Sequence, residues 1–177
     1  TPWEWHQEIY NLAKEEGLIC FSSPFDNSAV DFLEELNSPI YKIASFEITD
    51  IPLIKYIASK GKPIILSTGI ASLSDIELAI NTIRNERNNQ IALLKCTSSY
   101  PTTEEEANLI MIKEFIDRFK ITTGLSDHTL GINAPIMAVT LGAKIIEKHL
   151  KIDEKHKCID APVSITGNQL NALKNEV

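Results

Sequence analysis

Short apolar runs and amphipathic helical stretches alternate along the chain with regular spacing. Leu18 to Pro24 reads as a buried strand ended by small polar residues, and Ala29 to Leu36 as a helix with Val30, Phe32, Leu33 and Leu36 on its apolar side. Tyr41 to Ser45 is the next strand, followed by a helix over Ile51 to Lys60 that stops at Gly61. Pro63 to Thr68 is strand-like, and Ser74, an N-cap type, opens a helix to about Ile83. The cycle continues with a strand over Gln90 to Thr97 and a helix over Glu104 to Phe119. A strand over Ile121 to Ser126 and a helix over Ala134 to Leu141 come next. Lys144 to Leu150 is the last strand, and Gly167 to Val177 the last helix. These are six strand-then-helix units, each about the length of a βα repeat.

Continuous apolar strands such as Ile64-Ile65-Leu66 and Ile91-Ala92-Leu93-Leu94 suit a parallel sheet buried on both faces. Periodicity alone fits an open doubly wound sheet as well as a barrel. The polar chemistry favours the barrel: Ser22-Ser23, Lys42 to Glu47, Ser67-Thr68, Cys96 to Ser99, Ser126-Asp127-His128 and Glu147-Lys148-His149 all lie at strand ends, and collecting reactive groups from many strand ends is the habit of a TIM barrel. No G-x-G-x-x-G follows the first strand, and there is no P-loop. The expected class is α/β, a TIM (β/α)8-type barrel. Six units are two short of eight and the chain opens inside a helical pattern, so two further βα units are expected ahead of Thr1.

Composition changes this picture little. The 177 residues carry 44% hydrophobic and 23% charged side chains, the balance of a globular domain. A net charge of −7 gives no general attraction for nucleic acid or an anionic membrane, so an anionic substrate needs a local basic pocket. No apolar run approaches the roughly 20 residues of a membrane span. No leader pattern opens the chain. The three cysteines, Cys20, Cys96 and Cys158, have neither zinc-site nor disulfide-framework spacing. They read as free thiols in a reducing cytosol, and the expected location is cytoplasmic.

His128 and His149 are the sharpest pair, because each ends a strand and the two strands are consecutive. Two imidazoles so placed suit a divalent transition metal with oxygen in the remaining positions, or else each caps its own strand. His6 and His156 read as surface residues. Lys42 and Lys148 interrupt apolar strands, where a lysine needs an anion or a carboxylate; a substrate phosphate, Glu47 or Glu147 would serve. Ser45, Ser67 and Ser126 offer hydroxyls at strand ends. Glu47 and Asp127 are candidate acid–base groups, or partners for a nearby lysine. The run Glu104-Glu105-Glu106 is placed at a helix start, where it complements the dipole.

Taken together, Tyr41-Lys42-Ile43-Ala44-Ser45-Phe46-Glu47-Ile48-Thr49-Asp50, Leu66-Ser67-Thr68-Gly69, Gly124-Leu125-Ser126-Asp127-His128-Thr129 and Ile146-Glu147-Lys148-His149 resemble the catalytic barrel of the sialic acid (N-acetylneuraminate-type) synthase family. Phe46, Asp50, Trp3 and Trp5 are most similar to its pseudaminic acid synthase branch; the neuraminic and legionaminic branches usually carry glycine and asparagine at the first two of these positions. The resemblance implies condensation of phosphoenolpyruvate with a 2,4-diacetamido-2,4,6-trideoxy hexose. It makes His128 and His149 ligands of a divalent metal, manganese first, with magnesium or cobalt as alternatives. Lys42, Ser45, Ser67 and Ser126 match phosphoenolpyruvate-binding positions, Glu47 a carboxylate near the reacting carbons, and Tyr100 a tyrosine on the sugar side.

After the last strand the family's Gly-Pro-Asp-x-x-Phe-Ser loop is replaced by Cys158-Ile159-Asp160-Ala161-Pro162-Val163-Ser164, which keeps Asp160 as a substrate-binding candidate and Ser164 at its spacing. By the same resemblance, residues 1–177 are a partial synthase barrel. The first two βα units and a C-terminal antifreeze-like domain fall outside it, and the full-length parent is a homodimer. Alternatives are N-acetylneuraminic or legionaminic acid synthesis, a barrel fragment without catalysis, and an unrelated Schiff-base aldolase using Lys42 or Lys148.

Overall fold

The computed structural model describes residues 1–155 and 157–177. His156 lies outside the described residues. The chain divides into two compact units, one of Thr1–Leu66 with Ala71–Ile91, the other of Ser67–Ile70 with Ala92–Val177.

The first unit contains α1 (Trp3–Glu15), α2 (Asn27–Glu35), β1 (Tyr41–Ile43), a 3-10 turn (Ser45–Thr49), α3 (Ile51–Ser59), β2 (Ile64–Ser67, its last residue belonging to the second unit) and α4 (Leu73–Asn85). β1 and β2 are parallel, with Tyr41 opposite Ile64 and Ile43 opposite Leu66. The starts of α2, α3 and α4 are each set by a side chain that satisfies an orphan backbone N–H, whereas α1 starts after Pro2 with no side-chain cap. Asp26 Oδ1 accepts from Ala29 N at 2.8 Å and Asp50 Oδ1 from Leu53 N at 3.0 Å. Ser72 and Asp75 form a reciprocal capping box, so α4 begins one residue before Ser74 and is capped by Ser72. Gly61 follows α3 at φ +71, a left-handed turn that a side chain would strain. Ile54, Ile57, Ile80 and Ile83 are fully buried, each worth about 1.5–3 kcal/mol of hydrophobic transfer. α1 buries no residue, although Trp3 stacks on Phe32 with centroids 4.5 Å apart. The expected strand over Leu18 to Pro24 is reduced to one parallel bridge, Ser22 to Tyr41, so the described residues form five strands where six were expected. Leu18 and Ile19 are exposed and so contribute little apolar burial to hold a longer strand.

The second unit contains β3 (Ile91–Cys96, its first residue in the other unit), α5 (Met111–Phe119), β4 (Thr122–Asp127), α6 (Asn133–Thr140), β5 (Ile146–Lys148), a 3-10 turn (Ala161–Val163) and α7 (Gly167–Glu176). β3, β4 and β5 are parallel neighbours in that order. α5 begins at Met111, not near Glu104; residues 104–110 form turns, and Glu106 instead accepts from Thr103 N and Oγ1. The acidic run therefore does not cap a helix. Leu125 packs with Ile112, Ala138 and Ala143, and Ile146 joins the same cluster. Gly124 is required by packing: a Cβ there would lie 2.2 Å from the Ile145 carbonyl oxygen. Among the described residues, no helix is long and apolar enough to cross a membrane.

Candidate active site

Successive strand side chains point to opposite faces, and parallel register partners share a face. On β4 and β5 the partners are Leu125 with Ile146, Ser126 with Glu147 and Asp127 with Lys148. One face therefore carries Ser126 and Glu147, whose Oγ donates to Oε1 at 2.6 Å. The other carries Leu125 and Ile146 towards the apolar cluster, then Asp127 and Lys148, whose Oδ2 and Nζ are 2.6 Å apart. His128 and His149 each follow their strand by one residue and return to the face of Ser126 and Glu147.

The two imidazoles do meet. Their centroids are 5.4 Å apart, and Tyr100 lies against both, 4.0 Å from His128 and 5.9 Å from His149. His128 Nδ1 is 2.8 Å from the Thr97 carbonyl oxygen. That bond requires Nδ1 to donate, and in the neutral ring it leaves the Nε2 lone pair available. Cys96 Sγ is 3.9 Å from the same nitrogen. Burial pushes the His128 pKa down, but the contacts to Cys96 and the Thr97 carbonyl and the charge of Asp127 outweigh it, so the net direction is upward. His149 moves the other way: burial and the neighbouring His128 and Lys148 charges exceed the pull of Asp160, whose Oδ2 is 3.7 Å from Nδ1. Burial, followed by the Cys96, Asp160 and Glu147 charges, raises the Tyr100 phenol.

Two imidazoles bound to one ion at about 2.1 Å would place their centroids roughly 5 Å apart, so the observed spacing suits a shared divalent metal. Among the described residues, no group of three or more His, Cys, Asp or Glu side chains is arranged to hold an ion. Two imidazoles alone do not make a closed structural site; an ion held here would need further ligands from water or substrate.

Ser126 and Ser67 are buried in this unit; Thr68, next to Ser67, is tied to β3 through Leu94 O and Cys96 N. Asp160 reaches the histidines only through its contact with His149. In the first unit, Lys42 is buried and its Nζ donates to Ile43 O at 3.3 Å. Ser45 and Glu47 share the 3-10 turn after β1, and Glu47 Oε2 is buried without a hydrogen-bond partner among the described residues.

Of the two readings of Asp127, the contacts match the partner for a nearby lysine: Thr129 N, Thr129 Oγ1 and Lys148 Nζ occupy its carboxylate. The carboxylate that meets Lys148 is thus Asp127, where Glu47 or Glu147 was expected, and Nζ also donates to Thr129 O. Lys95 escaped notice although it breaks an apolar strand just as Lys42 does. It is buried, its Nζ donates to Cys96 O and Thr97 Oγ1, each at 2.8 Å, and burial lowers its pKa. Asp50 serves as the α3 cap, a task asparagine performs equally, so its identity is a weaker branch mark than the exposed Phe46.

Comparison with known proteins converges on one family. The chain is 46% identical to pseudaminic acid synthase of Helicobacter pylori over its whole length, covering 51% of that protein. It is 41% identical to N,N'-diacetyllegionaminic acid synthase of Campylobacter jejuni, with 97% of this chain and 52% of that protein aligned. The chain thus spans about half the length of the curated relatives it matches. The crystal structure of N-acetylneuraminic acid synthetase from Leptospira borgpetersenii superposes with a TM-score of 0.96 at 35% identity, over 99% of this chain and 61% of that one. The fold is the TIM-barrel type expected from the strand-end chemistry. The NeuB family model matches residues 1–177 throughout, and the chain belongs to the NeuB family.

Proposed function

We propose that this chain is the catalytic-barrel portion of a phosphoenolpyruvate-dependent nonulosonic acid synthase, and that its sugar is a 2,4-diacetamido-2,4,6-trideoxy hexose, giving pseudaminic acid and phosphate. The observation that carries the reading is the His128–His149 pair, 5.4 Å apart beneath Tyr100, in a chain 46% identical to a pseudaminic acid synthase.

In the proposed reaction, C3 of phosphoenolpyruvate attacks the aldehyde carbon of the open-chain sugar. Water adds at C2, and the tetrahedral intermediate expels phosphate by C–O cleavage. His128 and His149 hold a divalent metal, manganese first, whose Lewis acidity favours attack on the aldehyde. The Thr97 carbonyl fixes the His128 tautomer, and Tyr100, which lies against both rings, faces the sugar by resemblance. By resemblance, Lys42, Ser45, Ser67 and Ser126 bind phosphoenolpyruvate, with Lys42 as fixed countercharge. Glu47 is the base for water; its buried, unpartnered Oε2 supports a group reserved for a ligand. Asp160 lies on the sugar side, next to His149.

The test is phosphate release by the full-length protein, which we place in the cytoplasm as a homodimer. The diacetamido trideoxy hexose, its legionaminic-series isomer and N-acetylmannosamine are compared. Turnover with the first supports the assignment; turnover only with N-acetylmannosamine defeats it. The 41% identity to a legionaminic acid synthase keeps that sugar as the second reading, which preference for its substrate would establish.

A further inference from the structure

We propose that the buried Asp127–Lys148 ion pair is a positioning clamp that sets the spacing of the two histidines from the opposite face of the strands. The proposal rests on the reading of His128 and His149 as a shared metal site.

Three observations carry it. First, Asp127 and Lys148 are register partners across β4 and β5, and each immediately precedes one histidine. Alternation turns the pair and the imidazoles to opposite faces, so the ion pair fixes the backbone from which both rings depart without reaching the ligand side.

Second, the bonds bracket His128. Asp127 Oδ1 accepts from Thr129 N at 3.0 Å and Oδ2 from Thr129 Oγ1 at 3.1 Å, which closes a turn around the intervening histidine. Lys148 Nζ donates to Asp127 Oδ2 at 2.6 Å and to Thr129 O at 2.5 Å. The lysine of β5 thus grips the residues on both sides of the β4 histidine.

Third, the side chains of Lys148 and Asp127 are only 4% and 1% exposed. A buried ion pair is a poor source of net stability compared with an apolar pair of similar size, and specifying a geometry is the best-attested reason to retain one. Here the specified geometry is the separation of two rings.

The variant D127N/K148M removes both charges together, so neither is left buried alone. The expected result is a folded protein with a far-ultraviolet spectrum like the parent's. Its affinity for manganese(II), read by electron paramagnetic resonance, falls about 10- to 100-fold, the usual effect of removing an outer-shell group. The visible absorption of bound cobalt(II) changes with it. Manganese(II) affinity within twofold of the parent, with an unchanged cobalt(II) spectrum, overturns the clamp. If the double variant does not fold, K148R and T129V replace it. K148R keeps the charge but not the reach, and T129V removes a single bond; each is expected to weaken manganese(II) binding, K148R more than T129V. Unaltered binding in both overturns the proposal. Should the parent itself ignore manganese(II) at millimolar concentration, the metal reading fails, and the clamp is judged by crystallography of D127N/K148M. A wider or rotated imidazole pair then supports it, and rings still about 5.4 Å apart overturn it.

Discussion

The two faces of β4 and β5 share a backbone, yet they spend their polar groups in opposite ways. On the face towards α5 and α6, Leu125 and Ile146 give way to Asp127 and Lys148, and both carboxylate oxygens and the ammonium of that pair have hydrogen-bond partners within the protein. On the other face, His128 keeps one ring nitrogen for the Thr97 carbonyl, and the polar contact of the His149 ring among the described residues is a loose 3.7 Å approach to Asp160. A satisfied polar face resists distortion, whereas a partly satisfied one has valences left for a ligand. Two neighbouring residues of one strand can therefore look equally reactive in sequence while only one is available for chemistry.

The comparison can be broken at several points, beginning with the largest effect. K148M leaves the Asp127 carboxylate buried and uncompensated, and should cost about 3–5 kcal/mol in urea unfolding; a loss below about 1 kcal/mol would mean that water or rearrangement satisfies the carboxylate. G124A, which sets a methyl against the Ile145 carbonyl on the ligand-side face, should cost about 1–3 kcal/mol. Unchanged stability there would show that β4 and β5 can spread.

K95M sharpens the contrast between buried lysines. Lys95 meets only neutral oxygens, so replacement strands no charge, and the unfolding free energy should move by less than about 1 kcal/mol. A loss as large as that of K148M would contradict the distinction.

The smallest effect lies in pH. His128, raised above the ordinary value near 6.5, contributes stability that is fully present below that value and is lost as pH rises through its folded pKa. His149, lowered, contributes stability that is present above 6.5 and is lost as pH falls through its folded pKa. The two slopes oppose each other in the metal-free protein. H149N should therefore make urea midpoints decline on the alkaline side of 6.5, and H128N on the acid side. Slopes of the reverse sign would overturn the assigned directions.

The ends of elements were legible where one residue decides them, as with Gly61 after α3. They were misread where a neighbour decides, as at Ser72 and Ser74 or along residues 104–110, where a helical pattern gives way to turns tied by Thr103 and Glu106. The histidine pair was legible because two consecutive strand ends each carry one. Lys95 was overlooked although its signal equalled that of Lys42. The role of Thr97 left no signal, since a backbone carbonyl has no identity in a sequence.

By itself, the amino-acid order determined the alternation of strands and helices, the strand ends on which reactive groups gather, and the motifs of the NeuB family, because period, capping and residue chemistry are local properties. Only tertiary structure decided which of those groups are already spent. Asp127, His128, Lys148 and His149 stand in adjacent pairs along the chain, but parallel register joins Asp127 to Lys148 on one face and brings the imidazoles together on the other. That division depends on which residue of a distant strand lies alongside, which no local pattern encodes.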